Sequence, residues 1–203
     1  MANQKLFLVD VETTGLNSRE HDIIEIAYMT VKIGPEGLQN QSVMRVRQFH
    51  PRPETKVDPK AFAINGYYRG HPDWDHALTH GSPEALEFWK SLVADSEGSV
   101  IAGHRVTFDR DFIEYTLLRE EMQPRWHPYR TFDTGPLATL ITAAHGEPTA
   151  SLENAYKVLG GRPGVVAHRA MIDVLMSLEL LAYGFHAVKN APSLVQVSEP
   201  KRQ

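Results

Sequence analysis

The chain contains no cysteine. That excludes a disulfide framework, a thiolate zinc site and a cysteine nucleophile, and makes an intracellular setting the default. Long apolar runs are also lacking. None approaches the ~20 residues of a membrane span, so a soluble, cytoplasmic protein without membrane contact is expected. Nor is there an excess of positive charge: 25 acidic residues against 21 basic ones leave a formal charge of -4. A protein that grips long duplexes by neutralising phosphates is normally basic, so any nucleic-acid role must rest on a local site.

What is present suits a single folded unit. At 203 residues and 42% hydrophobic content the chain can bury a substantial core. One domain is expected over residues 1–189. From 190 to 203 (NAPSLVQVSEPKRQ) periodicity is lost and the chain reads as a loose tail.

The stretch from Leu6 to Leu16 (LFLVDVETTGL) stands out. Its first half is apolar at nearly every position, as in a central strand buried on both faces, yet Asp10 and Glu12 sit where it ends. Two residues apart on a strand, they point to one side, roughly 6.5 to 7 Å apart at the backbone, close enough to converge on one cation. Burying carboxylates without partners costs several kcal/mol, so a metal, a proton or basic groups must compensate. The plainer reading is a surface pair at a strand end before the turn at Gly15.

Further along, residues 22–33 (DIIEIAYMTVKI) read as a strand, and 41–49 (QSVMRVRQF) as its hairpin partner across Gly34-Pro35-Glu36-Gly37. Asp58-Pro59 and Ser82-Pro83 each predict a helix start, and Asn65-Gly66 ends the first, short helix. Residues 99–102 (SVIA) form a buried strand broken at Gly103-His104. The helix that follows places Asp109 in the middle of an arc containing Phe108, Phe112, Ile113 and Leu117, while Asp111 faces solvent. Asp109 is therefore either a cap for its own helix or a ligand in a buried site. Asp133 reads most simply as a cap after another short strand, and Ser151 starts a further helix that ends at Gly160-Gly161.

The last long helix begins near His168 and is apolar on almost every side, which predicts burial; Asp173 lies on its flank of small residues with Ala170, Ser177 and Gly184. His168 and Asp173 are ~140° apart on an ideal helix and share one site only if His168 precedes the first turn. The loop 163–167 (PGVVA) allows this. A lone structural histidine is the alternative.

Taken together, VDVETTGL, GHRVTFDRDF and HRAMID resemble the three exonuclease motifs of the DEDDh family, the 3'-to-5' exonucleases that include the proofreading epsilon subunit of bacterial DNA polymerase III. The resemblance runs roughly from Lys5 to Ala182. It implies an α/β fold of the ribonuclease-H-like kind, a mixed five-stranded sheet with helices on both faces. It also implies Asp10, Glu12, Asp109 and Asp173 as ligands of two Mg²⁺ or Mn²⁺ ions, Asp10 bridging them, with His168 as general base. Histidine as a residue type titrates near neutral pH and suits that role. Thr13, Arg105 and Phe108 would contact the substrate. Single-stranded DNA or RNA with a free 3' end is the implied partner, and a polymerase or other replication protein a further one.

Two positions depart from the pattern. Many relatives carry His-Asn where this chain has His104-Arg105, and some carry His-Gly where it has Asn65-Gly66. Neither change touches a metal ligand. A binding module that had lost turnover should have lost an acidic ligand or the histidine, and none is lost. The ten histidines show no helical pair with the spacing and context of a zinc hydrolase. No aromatic platform or 2'-hydroxyl reader is identifiable that would separate DNA from RNA.

Overall fold

A computed structural model describes residues 3–40, 42–66, 74–162 and 168–191. The tail from 192 onward, the loop 163–167 and Gln41 lie outside the described residues. Strand β1 (Gln4–Thr13) is central. It pairs antiparallel with β2 (Ile23–Gly34) and parallel with β6 (Val100–Gly103), which pairs parallel with β7 (Thr131–Asp133). On the other side β2 pairs antiparallel with β4 (Arg45–His50), and β4 in parallel with the two-residue β5 (Leu78–Thr79). The expected five strands are all present. The additions are β5 and β3 (Gly37–Asn40): the hairpin partner expected as one strand over 41–49 begins earlier and comes in two pieces, β3 pairing with Val31–Gly34 directly after the turn and β4 with Glu25–Tyr28.

Alternation along β1 sorts the two layers. Phe7, Val9 and Val11 point into a core shared with α2 (Pro83–Asp95) and α3 (Thr107–Arg119), centred on Trp89, Phe112 and Ile113. Leu6 and Leu8 point the other way, against Ala170, Val174 and Leu181 of α6 (Ala170–Asn190). Outside α6 lie α4 (Gly135–Ala144) and α5 (Leu152–Val158), packed on it through Met176 and Leu180. Asp58 and Ser82 cap α1 (Pro59–Asn65) and α2, and Ser151 caps α5, as the sequence predicts.

Two expectations about α6 need correction. It is not buried all round: Met171 and Leu175 are each 42% exposed, since the sheet and α5 cover only part of its circumference. Its 21 residues, with a mean hydropathy of 1.4 over an 18-residue window, are also long and apolar enough to cross a bilayer by length and composition, contrary to the expectation that no segment comes close. Here those apolar residues serve as the packing face of a helix that carries buried Asp173.

An ion-pair network anchors the chain just past β1. Buried Asp22 accepts from Arg52 Nη1 at 2.6 Å, Arg52 Nη2 reaches Glu120 of the α3 end at 2.8 Å, and Thr55 also bonds Asp22. The segment so held returns to β1. Lys56 C=O accepts from Thr14 Oγ1 and the Asp58 N–H donates to Thr14 O. Arg52→Ala would leave two carboxylates buried with fewer partners, and a urea melt should show a loss of about 3 kcal/mol. A loss below about 1 kcal/mol would show that Arg119, 3.7 Å from Asp22, suffices.

Candidate active site

The site forms where β1 outruns its neighbour. Strand β6 pairs with β1 only as far as Leu8 and then turns away after Gly103, where an added Cβ would stand 2.6 Å from the Val9 carbonyl oxygen. Beyond that point the Val11 N–H has no strand partner on this side. Asp109 takes it, its Oδ1 accepting at 2.8 Å. The capping alternative for Asp109 is thereby answered: Val106 occupies the N-cap of α3 without a side-chain bond, and the Asp109 carboxylate crosses to β1.

Asp10 and Glu12 lie on the face that carries Leu6 and Leu8, and so meet α6, whose first turn supplies buried Asp173. Asp109 arrives from the opposite layer around the strand end. His168 stands just before α6, exposed, with a left-handed backbone (φ 68°), and its N–H donates to Asp173 Oδ2 at 3.0 Å. This is the position outside the helix that the five-residue spacing requires. One ligand atom from each of Glu12, His168 and Asp173 lies within 4.8 Å of the others.

Burial and mutual repulsion mark this cluster electrostatically. Desolvation, followed by Asp109, Asp173, Glu12 and Glu25, holds Asp10 far above the usual carboxylate range. Desolvation and Asp173 push Glu12 up to about 8, and desolvation pushes Asp109 up to about 8 despite the Val11 bond. Asp173 rises to about 6, restrained by the His168 N–H. Its Oδ1 is buried without a hydrogen-bond partner among the described residues. An orphaned carboxylate oxygen inside an all-carboxylate donor set fits a hard divalent cation.

A cleft of about 260 Å³ opens beside these groups, lined by Asp10, Asp173, His168, His104, Arg105 and Glu153 among others. Arg105 is exposed, with φ 55°, and its N–H donates to Asp133 Oδ1 at 2.9 Å. Asp133 also accepts from Gly135 N at 2.7 Å; Thr134, not Asp133 as expected, occupies the N-cap of α4 and makes no side-chain capping bond, so the Asp133 carboxylate instead ties the first residue of α4 to the Arg105 backbone. Phe108 is half-buried against Phe112, ring centroids 4.8 Å apart. Thr13 is buried; its hydroxyl donates to Gly15 O, and its carbonyl accepts from Asn65 Nδ2 at 3.1 Å. Sequence reasoning missed Glu25, which pairs in register with Glu12 and is 3% exposed. A carboxylate inside the apolar run Ile23-Ile24-Glu25-Ile26-Ala27 was its signal.

The model of the RNase T exonuclease family, described as Exonuclease, matches residues 7–181. This chain belongs to that family. The exonuclease is 30% identical over 186 residues to ribonuclease T of Shewanella oneidensis, covering 87% of this chain and 79% of the relative. It is 29% identical over 184 residues to ribonuclease T of Shewanella sp. strain MR-4, with the same coverage. Its fold is similar to exonuclease I of Methylocaldum szegediense (TM-score 0.70, 19% identity, 94% of this chain) and to E. coli exonuclease I in complex with a dT13 oligonucleotide (TM-score 0.68, 17% identity, 89% of this chain). The exonuclease spans only 41% and 40% of those two chains.

The raised carboxylates give the metal-free exonuclease a signed pH dependence. Each binds its proton more tightly folded than unfolded, so the stability they contribute is present below about pH 4 and is lost as pH rises through 6 to 8. The melting temperature without metal should therefore fall from pH 5 to pH 8, and Mg²⁺ should restore it. Asp173→Asn keeps an acceptor for His168 N–H and should melt slightly higher than the parent at pH 8 without metal. A markedly lower melt would mean that the charged carboxylate makes structural bonds.

Proposed function

We propose that this exonuclease removes nucleotides one at a time from the 3' end of single-stranded nucleic acid, DNA in the first instance, by hydrolysis dependent on two Mg²⁺ or Mn²⁺ ions. The observation that carries the reading is the convergence of Asp10, Glu12, Asp109 and Asp173 with exposed His168 at one strand end. Asp10, Glu12, Asp109 and Asp173 would hold the ions. When bound, such ions activate water and stabilise the leaving 3'-oxygen. His168, mounted outside α6 and open to solvent, takes the proton from the attacking water at an imidazole nitrogen. The burial of Asp109 and Asp173 keeps their carboxylates fixed while substrate enters and leaves.

Arg105, Phe108 and the Thr13 backbone would face the strand being cut. Arg105 stands at the mouth of the cleft, and its fork of donors suits a phosphate. RNA is the second substrate, favoured by the name ribonuclease T borne by the sequence relatives. Action in the cytoplasm, with or without a polymerase or other replication protein, belongs to the same proposal.

Digestion of 5'-labelled single-stranded DNA and RNA of one sequence should yield a ladder that shortens with time and needs Mg²⁺ or Mn²⁺. Asp10→Asn should abolish it without unfolding, and His168→Ala should lower turnover by roughly 10² to 10⁴. Cleavage of closed circles as the main activity would refute the proposal.

Arg105→Asn should raise KM and make the salt dependence of binding shallower by about one phosphate contact, with kcat largely kept. Asn tolerates the left-handed backbone better than Arg, so the variant should be no less stable. An unchanged KM and salt slope would place Arg105 outside the binding surface.

A further inference from the structure

Glu25 is a fifth carboxylate beside the cluster, and the four-ligand reading gives it no task. It lies directly opposite Glu12 across the β1–β2 pair, on the same face. Like charges in that relation repel, and at 3% exposure water does little to screen them. Its Oε2 accepts from Arg169 Nε at 3.0 Å. Arg169 is 40% exposed along its side chain, whereas Glu25 is buried, so the guanidinium reaches inward from the rim.

Arg169 occupies a telling place. It is the N-cap residue of α6, with extended backbone (φ -132°, ψ 120°) and no side-chain capping bond. Ser, Thr, Asp or Asn would satisfy an orphan N–H there, and arginine, having no acceptor, cannot. Its carbonyl nonetheless accepts from Ile172 N at 2.8 Å and Asp173 N at 3.1 Å. Its neighbour His168 donates its N–H to Asp173 Oδ2. The first turn of α6, the base and the fourth ligand thus hang on one residue, whose side chain is tied to β2.

The geometry points to Glu25 as a positioning residue: through Arg169 it pins the entry of α6 to the strand beside Glu12, and so sets His168 and Asp173 against Asp10 and Glu12. Glu25 itself touches no reacting atom in this assignment. The pair also places a cation next to Glu12, which offsets the repulsion between Glu12 and Glu25. This inference rests on the proposed exonuclease reaction for its catalytic consequence, while the anchoring itself is a property of the fold.

Two readouts separate these. In the first, Glu25→Gln, Arg169→Gln and the double variant are assayed on a 5'-labelled oligonucleotide, each also in a His168→Ala background. Either single change should lower kcat about tenfold to a hundredfold, the range for groups that orient a metal ligand, with KM little changed; Arg169→Gln, which leaves buried Glu25 with fewer partners, should also lower the melting temperature, and Glu25→Gln should do so less. The double variant should be no worse than the poorer single, because both remove one pair. Behind His168→Ala the further loss should be smaller than in the parent, because only the share that acts through Asp173 remains.

The second readout needs neither metal nor substrate. Hydrogen exchange of the amides of residues 168–173 should quicken in Glu25→Gln and in Arg169→Gln. Arg169→Gln, at a half-exposed site, keeps the test valid if the buried Glu25 variant proves unstable. Unchanged kcat and unchanged exchange would overturn the assignment, as would a full multiplicative loss behind His168→Ala. If the parent cut no strand while exchange still responded, the anchor would stand and the exonuclease proposal would fall.

Discussion

Mutual repulsion among buried and half-buried carboxylates is the constraint on which this structure depends. Asp10, Glu12, Asp109, Asp173 and Glu25 gather at one end of a sheet whose remaining interior is apolar. Such a gathering costs free energy in water-poor surroundings, and the fold compensates with few contacts: the Val11 N–H for Asp109, the His168 N–H for Asp173, and the Arg169 guanidinium for Glu25. Asp173 Oδ1 and Glu25 Oε1 stay without partners among the described residues. Scarce compensation is what a cation site requires, because ligands already satisfied by protein donors have little left to offer.

The sheet makes this gathering possible by ending its strands at different heights. Strand β1 continues past β6, which frees a backbone N–H and a gap at the same spot. The two helical layers then meet across that gap: α3 brings Asp109 from one side and α6 brings Asp173 from the other. Outside the gap, the Asp22–Arg52–Glu120 pairs tie the chain after β1 to the end of α3. The same element that carries Asp109 therefore also steadies the turn that follows Glu12.

Left-handed backbone recurs at the rim of the site. His168 and Arg105 both adopt positive φ, although neither is glycine, and each is held by a carboxylate that accepts its own N–H. Such conformations cost free energy and persist where surrounding bonds fix them. Their effect is to turn one side chain out of a helix start and another across the mouth of the cleft. In that layout Asp109 and Asp173 sit inside and the histidine sits at the solvent edge.

Much of this was legible in the sequence because it depends on local spacing. The apolar run ending in Asp10 and Glu12 declares a central strand with both carboxylates on one face, since a period of two leaves no alternative. Asp58, Ser82 and Ser151 declare helix starts because a cap bonds within its own turn. The requirement that His168 precede α6 followed from five residues at 100° each. Pairing lengths and partners across the fold could not be read this way. Whether Asp109 capped its own helix or crossed to Val11 depended on where β6 left β1. The splitting of the hairpin partner into β3 and β4 depended on which part of β2 each could pair with. The role open to Glu25 depended on a register that sets it opposite Glu12 and within reach of Arg169, 144 residues away. Contacts at that separation are set by the packing of whole layers, which no local pattern of residues encodes.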